Sequence, residues 1–283
     1  MRSVVSEMSE EGVSERKACE AARVSRTTIR YEQKEEDPIN RWLRIRLHEL
    51  SAKHRTYGTP FMKAIVCKET GLKLNHKRVE RLWGEERLPV PRKRRRRLKV
   101  HPLTDRLGAA QRPFQTWSLD FIHHKTEYGQ KLKMLSVIDD FSKTCIEVRV
   151  EKRFRAIEVI EALDELFWEY GRPEYIRTDN GPEFISELLH RWTEEKGVKL
   201  IHINPGSPWE NGYVESFHDK LRRECLNGEI FFSRGEAQVV VDWWREHYNS
   251  ERPHSTLGHI SPSEFIRQEK WNTVDRNGLQ NVH

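Results

Sequence analysis

Residues 92–97 read R-K-R-R-R-R, and six consecutive like charges repel one another too strongly to share a packed interior. Any fold of this chain must be built on either side of that run. Pro89-Val90-Pro91 immediately upstream reinforces the break. The two sides also differ in charge. Residues 1–112 carry 28 Lys+Arg against 15 Asp+Glu, a net of +13, whereas residues 113–283 carry 22 against 29, a net of −7. A basic half can hold a polyanion through counterion release. An acidic half needs cations near its carboxylates. At ~150 residues per domain, 283 residues make about two domains.

Upstream of the run the pattern is helical. In residues 1–36, Ser14 opens S-E-R-K-A-C-E-A-A with Ala18, Ala21 and Ala22 as a small apolar stripe, and Ser25 is placed to cap a second short helix carrying Arg26 and Arg30. The pair reads as a helix-turn-helix, whose second helix enters the major groove, or as a helical hairpin with solvated charges. Asp37-Pro38 breaks this pattern and opens a second module, 37–91. Its first helix, 39–53, puts Ile39, Trp42, Leu43, Leu47 and Leu50 on one face. A helix from Phe61 to Glu69 stops at Gly71. Asn75 then caps H-K-R-V-E-R-L-W, with Val79, Leu82 and Trp83 inward and Lys77, Arg78 and Arg81 outward, a second helix-turn-helix candidate. Residues 92–112 form a basic linker in which Arg94, Arg95, Arg96 and Arg97 suit a DNA-backbone tether; a nuclear localisation signal is the rival reading.

Downstream, from 113 to about 269, the texture is that of one mixed α/β layer fold. T-W-S-L-D-F-I alternates, with Trp117, Leu119 and Phe121 on one face and Ser118 and Asp120 on the other. M-L-S-V-I-D-D-F and C-I-E-V-R-V-E complete a three-strand meander. A helix over 155–170 buries Ile157, Ile160, Leu163 and Phe167. Y-I-R-T is a strand ending at Asp179. Pro182 is placed to start a helix with Phe184, Leu188 and Trp192 inward, and V-K-L-I-H-I is a fifth strand. Ser207-Pro208-Trp209-Glu210 is a capping box opening a helix whose core stripe is Val214, Phe217, Leu221 and Cys225. Asn211, Glu215, His218, Asp219 and Arg222 lie on its opposite face. Ser261-Pro262-Ser263-Glu264 repeats the capping device, and the tail 270–283 is polar and expected to be loose.

Three acids stand out. Asp120 lies in an otherwise apolar strand, where an unpaired carboxylate costs several kcal/mol, so it must be paired, protonated or metal-bound. Asp179 ends a strand at the point where open α/β sheets place functional groups, and taken alone it reads equally as a turn-forming or capping aspartate. Glu215 sits on the polar face of its helix, with Asn211 and Arg222 one and two turns away and suited to a phosphate backbone. Three acids from separate elements can hold two divalent ions ~3.5–4 Å apart, the arrangement for in-line phosphoryl transfer. Asp139, Asp140 and Glu183 compete as ligands, and His123 and His124 as ligands or proton shuttles. Trp209 suits stacking on an unpaired base or plain packing.

Other chemistries fall away. Cys19, Cys67, Cys145 and Cys225 are scattered, with no zinc-ligand spacing, and fit a reducing cytosol. No stretch approaches ~20 apolar residues, and M-R-S-V-V-S-E-M-S-E-E lacks the apolar core of a signal peptide, so a cytoplasmic protein with no membrane partner is expected. No phosphate-binding G-x-x-x-x-G-K-[ST] loop occurs.

The motifs W-S-L-D-F, V-I-D-D-F-S-K, T-D-N-G-P-E-F, P-G-S-P-W-E-N-G-Y-V-E-S-F-H-D-K-L-R-R-E-C-L and Y-N-S-E-R-P-H-S-T-L-G-H-I-S-P closely resemble the DDE transposases of bacterial insertion sequences, the catalytic reading-frame-B products related to retroviral integrases. The resemblance covers 113–269, and the module over 39–97 looks like the one preceding the core in that family. It implies an RNase H-like integrase catalytic core preceded by small all-α modules. It also implies Asp120, Asp179 and Glu215 as catalytic and metal-binding residues, and Mg²⁺ or Mn²⁺ as cofactor, as two ions. The implied activity is DNA end cleavage and strand transfer. The implied partners are double-stranded DNA, further copies of the chain, and a first-frame product with a leucine zipper and helix-turn-helix, since no sustained heptad repeat occurs here. The zinc-binding His/Cys module of retroviral integrases has no counterpart in the sequence. A nuclease or resolvase that only hydrolyses, and a DNA-binding regulator with a degenerate core, are the rival readings.

Overall fold

The computed structural model describes residues 2–31, 36–88, 109–203 and 212–269. The basic run Arg92–Arg97, the capping box at Ser207–Glu210 with Trp209, Asn211, and the tail 270–283 lie outside the described residues. The chain divides into two compact units, Met1–Glu49 and Leu50–His283.

In the first unit, α1 (Arg2–Glu10), α2 (Glu15–Ala21) and α3 (Arg26–Arg30) enclose a small core of Val5, Ala18 and Cys19, with Met8, Val13, Ala22 and Ile29 against it. Ser25 accepts from the Thr28 N–H at 3.1 Å, the expected cap. The helix α1 had no counterpart in the sequence reading; its signal, Val5 and Met8 three apart, is short. Helix α4 (Pro38–Lys53) crosses into the second unit. Leu43, Leu47 and Leu50 are buried along it, while Ile39 and Trp42, expected on the same face, are exposed.

In the second unit, α5 (Thr59–Thr70) ends where Gly71 adopts φ 71°, a left-handed conformation that costs glycine little. Asn75 caps α6 (His76–Glu85) by accepting from the Lys77 N–H at 2.9 Å. Val79, Leu82 and Trp83 are buried on α6, and Lys77 and Arg81 are exposed.

Five strands form one sheet in the order β3-β2-β1-β4-β5. β1 (Thr116–Lys125), β2 (Lys131–Asp139) and β3 (Cys145–Glu151) are the expected antiparallel meander. β4 (Tyr175–Thr178) and β5 (Lys199–His202) run parallel to β1, as their helical crossovers require. The pleat sorts side chains onto two covered faces. Leu119, Leu135, Val137 and Ile146 pack with α7 (Ala156–Tyr170) and α8 (Glu187–Lys196). Ile122, Met134, Ile138 and Val148 pack with α9 (Gly212–Glu224) and α10 (Arg234–Ser250). A further helix, 262–269, has Glu264 donating its N–H to Ser261 at 3.3 Å.

Two expectations are corrected. Residues 182–185 form a turn, with the Phe184 N–H bonded to Gly181, and α8 starts at Glu187 with Ser186 as its N-cap. The later start rotates the helix face, so Leu189 rather than Leu188 is buried. On α7, Ile157 is exposed, and Val159 and Leu166 widen the buried stripe.

Candidate active site

Asp120 stands near the middle of β1, directly opposite Ser136 of β2. It projects from the same face as Ser118 and Ile122, the face covered by α9. The sheet thus delivers a carboxylate to the underside of a helix. The Ser136 hydroxyl donates to the Asp120 carbonyl at 3.0 Å and lies 2.7 Å from His218 Nε2 of α9. His218 Nδ1 is 3.6 Å from Asp120 Oδ2. Burial, with the Arg222 charge adding to it, pushes the His218 pKa down to about 3. At neutral pH the imidazole is therefore uncharged, and this contact is not an ion pair.

Asp179 follows the last residue of β4. Its Oδ1 accepts from the Gly181 N–H at 3.0 Å. A Cβ at Gly181 would stand 3.1 Å from that same oxygen, so a larger residue there would push the carboxylate out of place by a few tenths of an ångström. His202 of β5 braces the strand end, with Nδ1 2.9 Å from Thr178 Oγ1 and 3.3 Å from the Asp179 carbonyl. Glu215 lies in the first turn of α9, and the expected stripe of Val214, Phe217, Leu221 and Cys225 is buried beneath it. Each such side chain contributes about 1.5–3 kcal/mol to holding the helix on the sheet.

The electrostatics tie the three acids together. The Asp120 pKa is raised to about 6: burial is the main cause, a hydrogen bond from the Phe121 N–H opposes it, and the charges of Asp179 and Glu215 add to it. Burial also raises the pKa of Glu215. Arg222 is exposed on α9, and its charge lowers the pKa of His218 and, after burial, of His124, which places it at the edge of this cluster. As the side chains stand, no group of three or more His, Cys, Asp or Glu among the described residues closes tightly enough to enclose a metal ion. The donor set nonetheless suits Mg²⁺ or Mn²⁺: it is made of carboxylate oxygens, and the repulsion that raises Asp120 is what a bound cation relieves.

The competing acids are committed elsewhere. Asp139 accepts from the Phe114 N–H at 3.0 Å and from the Ser142 N–H and hydroxyl at 2.8 and 2.6 Å, fastening the β2–β3 turn. Asp140 accepts from Ser118 at 2.6 Å and pairs with Arg177 at 2.9 Å, tying β2 to β1 and β4. Glu183 pairs with Lys133 at 2.5 Å, and that ammonium sits 3.9 Å over the Phe121 ring. Of the groups around these acids, His218 was marked in the sequence by its place three residues after Glu215 on the same helix face, and Arg252 only as part of a family motif, whereas Ser136, Lys133 and Glu224 were not singled out.

Family models match three segments: an HTH-like domain over 39–97 and integrase core domains over 110–208 and 196–262. A 31.7 kDa protein of insertion element IS407 from Burkholderia multivorans is 39% identical over 258 residues, covering 91% of this chain and 92% of its own length. The chain belongs to the insertion-sequence transposases of the integrase catalytic core family. The transposase InsF for IS3fB of Escherichia coli is 31% identical over 162 residues, 56% of each chain. A chain of the simian T-cell lymphotropic virus intasome, solved by electron cryomicroscopy with a PP2A regulatory subunit, shares the fold at a TM-score of 0.50 and 18% identity, over 72% of this chain and 74% of that one. The fold is thus the RNase H-like integrase core preceded by a helix-turn-helix-like module. Among the described residues no helix is long and apolar enough to cross a membrane.

Proposed function

We propose that this transposase cuts DNA at the ends of an insertion sequence and joins the freed 3′-hydroxyls to target DNA, using Asp120, Asp179 and Glu215 as the catalytic carboxylates. The observation that carries this reading is the placement of Asp120 on β1, Asp179 at the end of β4 and Glu215 in the first turn of α9, close enough that the charges of Asp179 and Glu215 add to burial in raising the Asp120 pKa. Acids brought together from β1, the end of β4 and α9 serve cation binding, and family membership supplies the DNA substrate. The three would hold Mg²⁺ or Mn²⁺, which when bound activates the attacking oxygen and neutralises charge on the phosphate.

In the first reaction water attacks the phosphorus at the element end, the P–O3′ bond breaks, and a 3′-hydroxyl is released. In the second that hydroxyl attacks a target phosphodiester, a new P–O3′ bond forms, and the target's own O3′ leaves. No covalent enzyme intermediate is needed. His218, held neutral and hydrogen-bonded to Ser136, keeps Asp120 at its place on β1. Arg222, and Asn211 before the helix, hold the DNA backbone, while Lys77, Arg78 and Arg81 of α6 and the arginines Arg94–Arg97 bind duplex. Further copies of the chain, and a first-frame helix-turn-helix partner, assemble with it on DNA in the cytoplasm.

Incubating the protein with Mn²⁺ and a duplex carrying a pre-cut 3′-hydroxyl element end tests this. Joined product on target DNA is expected. Hydrolysis without joining would instead make the protein a nuclease.

A further inference from the structure

The Y-N-S-E-R-P-H segment at the end of α10 plays no part in the chemistry above, yet its arginine is among the most enclosed charges of the described residues. The Arg252 side chain is 4% exposed and the Glu224 side chain facing it 11%. The two meet as a fork, Nε to Oε2 at 2.7 Å and Nη2 to Oε1 at 2.7 Å, and Nη1 donates to the Pro253 carbonyl at 3.2 Å. Three rings surround the guanidinium carbon: Phe61 at 5.2 Å, Tyr57 at 5.6 Å and Tyr248 at 5.7 Å.

These partners come from different parts of the second unit. Glu224 is the last residue of α9, the helix whose first turn carries Glu215. Tyr248 belongs to α10. Phe61 lies in α5 and Tyr57 just before it, in the helical module. From Tyr57 the contacts continue: its hydroxyl is 3.2 Å from His247 Nε2, and His54 stacks on both Tyr57 and His247. A guanidinium at a helix C-terminus also complements the helix dipole.

We propose that Arg252 is a positioning residue: it grips the far end of the Glu215 helix through Glu224 and the helical module through Tyr57 and Phe61, so that docking of the module sets the placement of Glu215. Glu224 lies nine positions beyond Glu215 on this helix, about 14 Å at 1.5 Å per residue. A helix of this length moves as a rigid rod, so releasing one end shifts the other. Lysine cannot replace arginine here, because the fork and the flat face that lies among three rings are both lost. The proposal rests on Glu215 being a metal ligand.

The test is Mn²⁺ affinity of the full chain, measured without DNA by titration calorimetry, with thermal melting to establish folding. Arg252→Lys, Glu224→Gln and Phe61→Leu are each expected to weaken Mn²⁺ binding at least fivefold. The Arg252→Lys/Phe61→Leu double variant should be little worse than either single, because both act through one clamp. Lys68→Ala, which removes a different module–core contact with Glu264, should bind Mn²⁺ as wild type does. Wild-type affinity in folded Arg252→Lys and Phe61→Leu overturns the proposal. Weakening in Arg252→Lys alone overturns the part given to the module. If Arg252→Lys does not fold, Glu224→Gln and Phe61→Leu decide by the same criterion. Asp120→Asn separates the two levels: loss of Mn²⁺ binding there with wild-type affinity in the clamp variants removes only the clamp, whereas wild-type affinity in Asp120→Asn removes the metal-site reading itself.

Discussion

Asp120 is held in the fold at a cost in stability. Its ordinary pKa of 3.8 rises to about 6 in the fold, mainly through burial and further through Asp179 and Glu215. At this group the native state therefore binds more protons than the unfolded chain between those values. The contribution of Asp120 to the stability of the metal-free protein should fall as pH rises from about 4 to 6, by up to about 3 kcal/mol, against the opposite trend of the buried and half-buried histidines His54, His218 and His254, whose lowered pKa values favour the fold as pH rises. Asp120→Asn removes this dependence, and in chelator at pH 7 it should be more stable than wild type by about 1–3 kcal/mol in urea unfolding. A variant no more stable than wild type at pH 7, or an unchanged slope over that pH range, would contradict the electrostatic account. At this scale the candidacy of Asp120 was legible in the sequence, because an aspartate amid Trp117, Leu119 and Phe121 has few bland explanations. Its contacts were not. Ser136 reaches His218 only because the β1–β2 register sets it opposite Asp120, and no sequence spacing of 82 residues announces such a contact.

Elements defined by strict alternation or by a long apolar stripe were read correctly, and those set by tertiary contacts were not. β1 and β3 alternate in sequence, β2 is a mostly buried run, and β4 and β5 are short segments between breakers. The start of α8 was misplaced because Pro182 mimics a helix N1, while Ser186 makes the actual cap to the Leu189 N–H. Asp139 and Asp140, which look like ligand candidates at a strand end, instead bind elements to each other. Asp140 is the clearer case: it lies between Ser118 of β1 and Arg177 of β4, with side chains 3% and 12% exposed in the ion pair. Burial outweighs the pull of Arg177 and raises the Asp140 pKa, so the pair is costly but, once built, costly to break. Asp140→Asn leaves Arg177 buried without its counter-charge, and should lower stability by about 3 kcal/mol in urea unfolding. A change below about 0.5 kcal/mol would mean that Arg177 finds another acceptor and that Asp140 is not a structural tie.

At the scale of the whole molecule, the division between a basic and an acidic half maps onto two tasks. On the proposed function, residues 1–112, at a net +13, would hold the duplex, and residues 113–283, at a net −7, carry the three carboxylates. Replacing Arg94–Arg97 by Ser should weaken binding to all duplexes alike and flatten the slope of log K against log salt by up to ~3–4, if each arginine contacts one phosphate. An unchanged slope would show that the run does not touch DNA. The central claim is that Asp120, Asp179 and Glu215 act as one unit in strand transfer, and joining of a pre-cut 3′-hydroxyl end to target DNA measures it most directly. Asp120→Asn, Asp179→Asn and Glu215→Gln should each lower the joining rate by about 10³-fold or more while binding the end with near wild-type affinity. Combining two of these changes should cost little beyond either alone, as expected of residues acting together. Joining by any single variant at a rate near wild type would contradict the account.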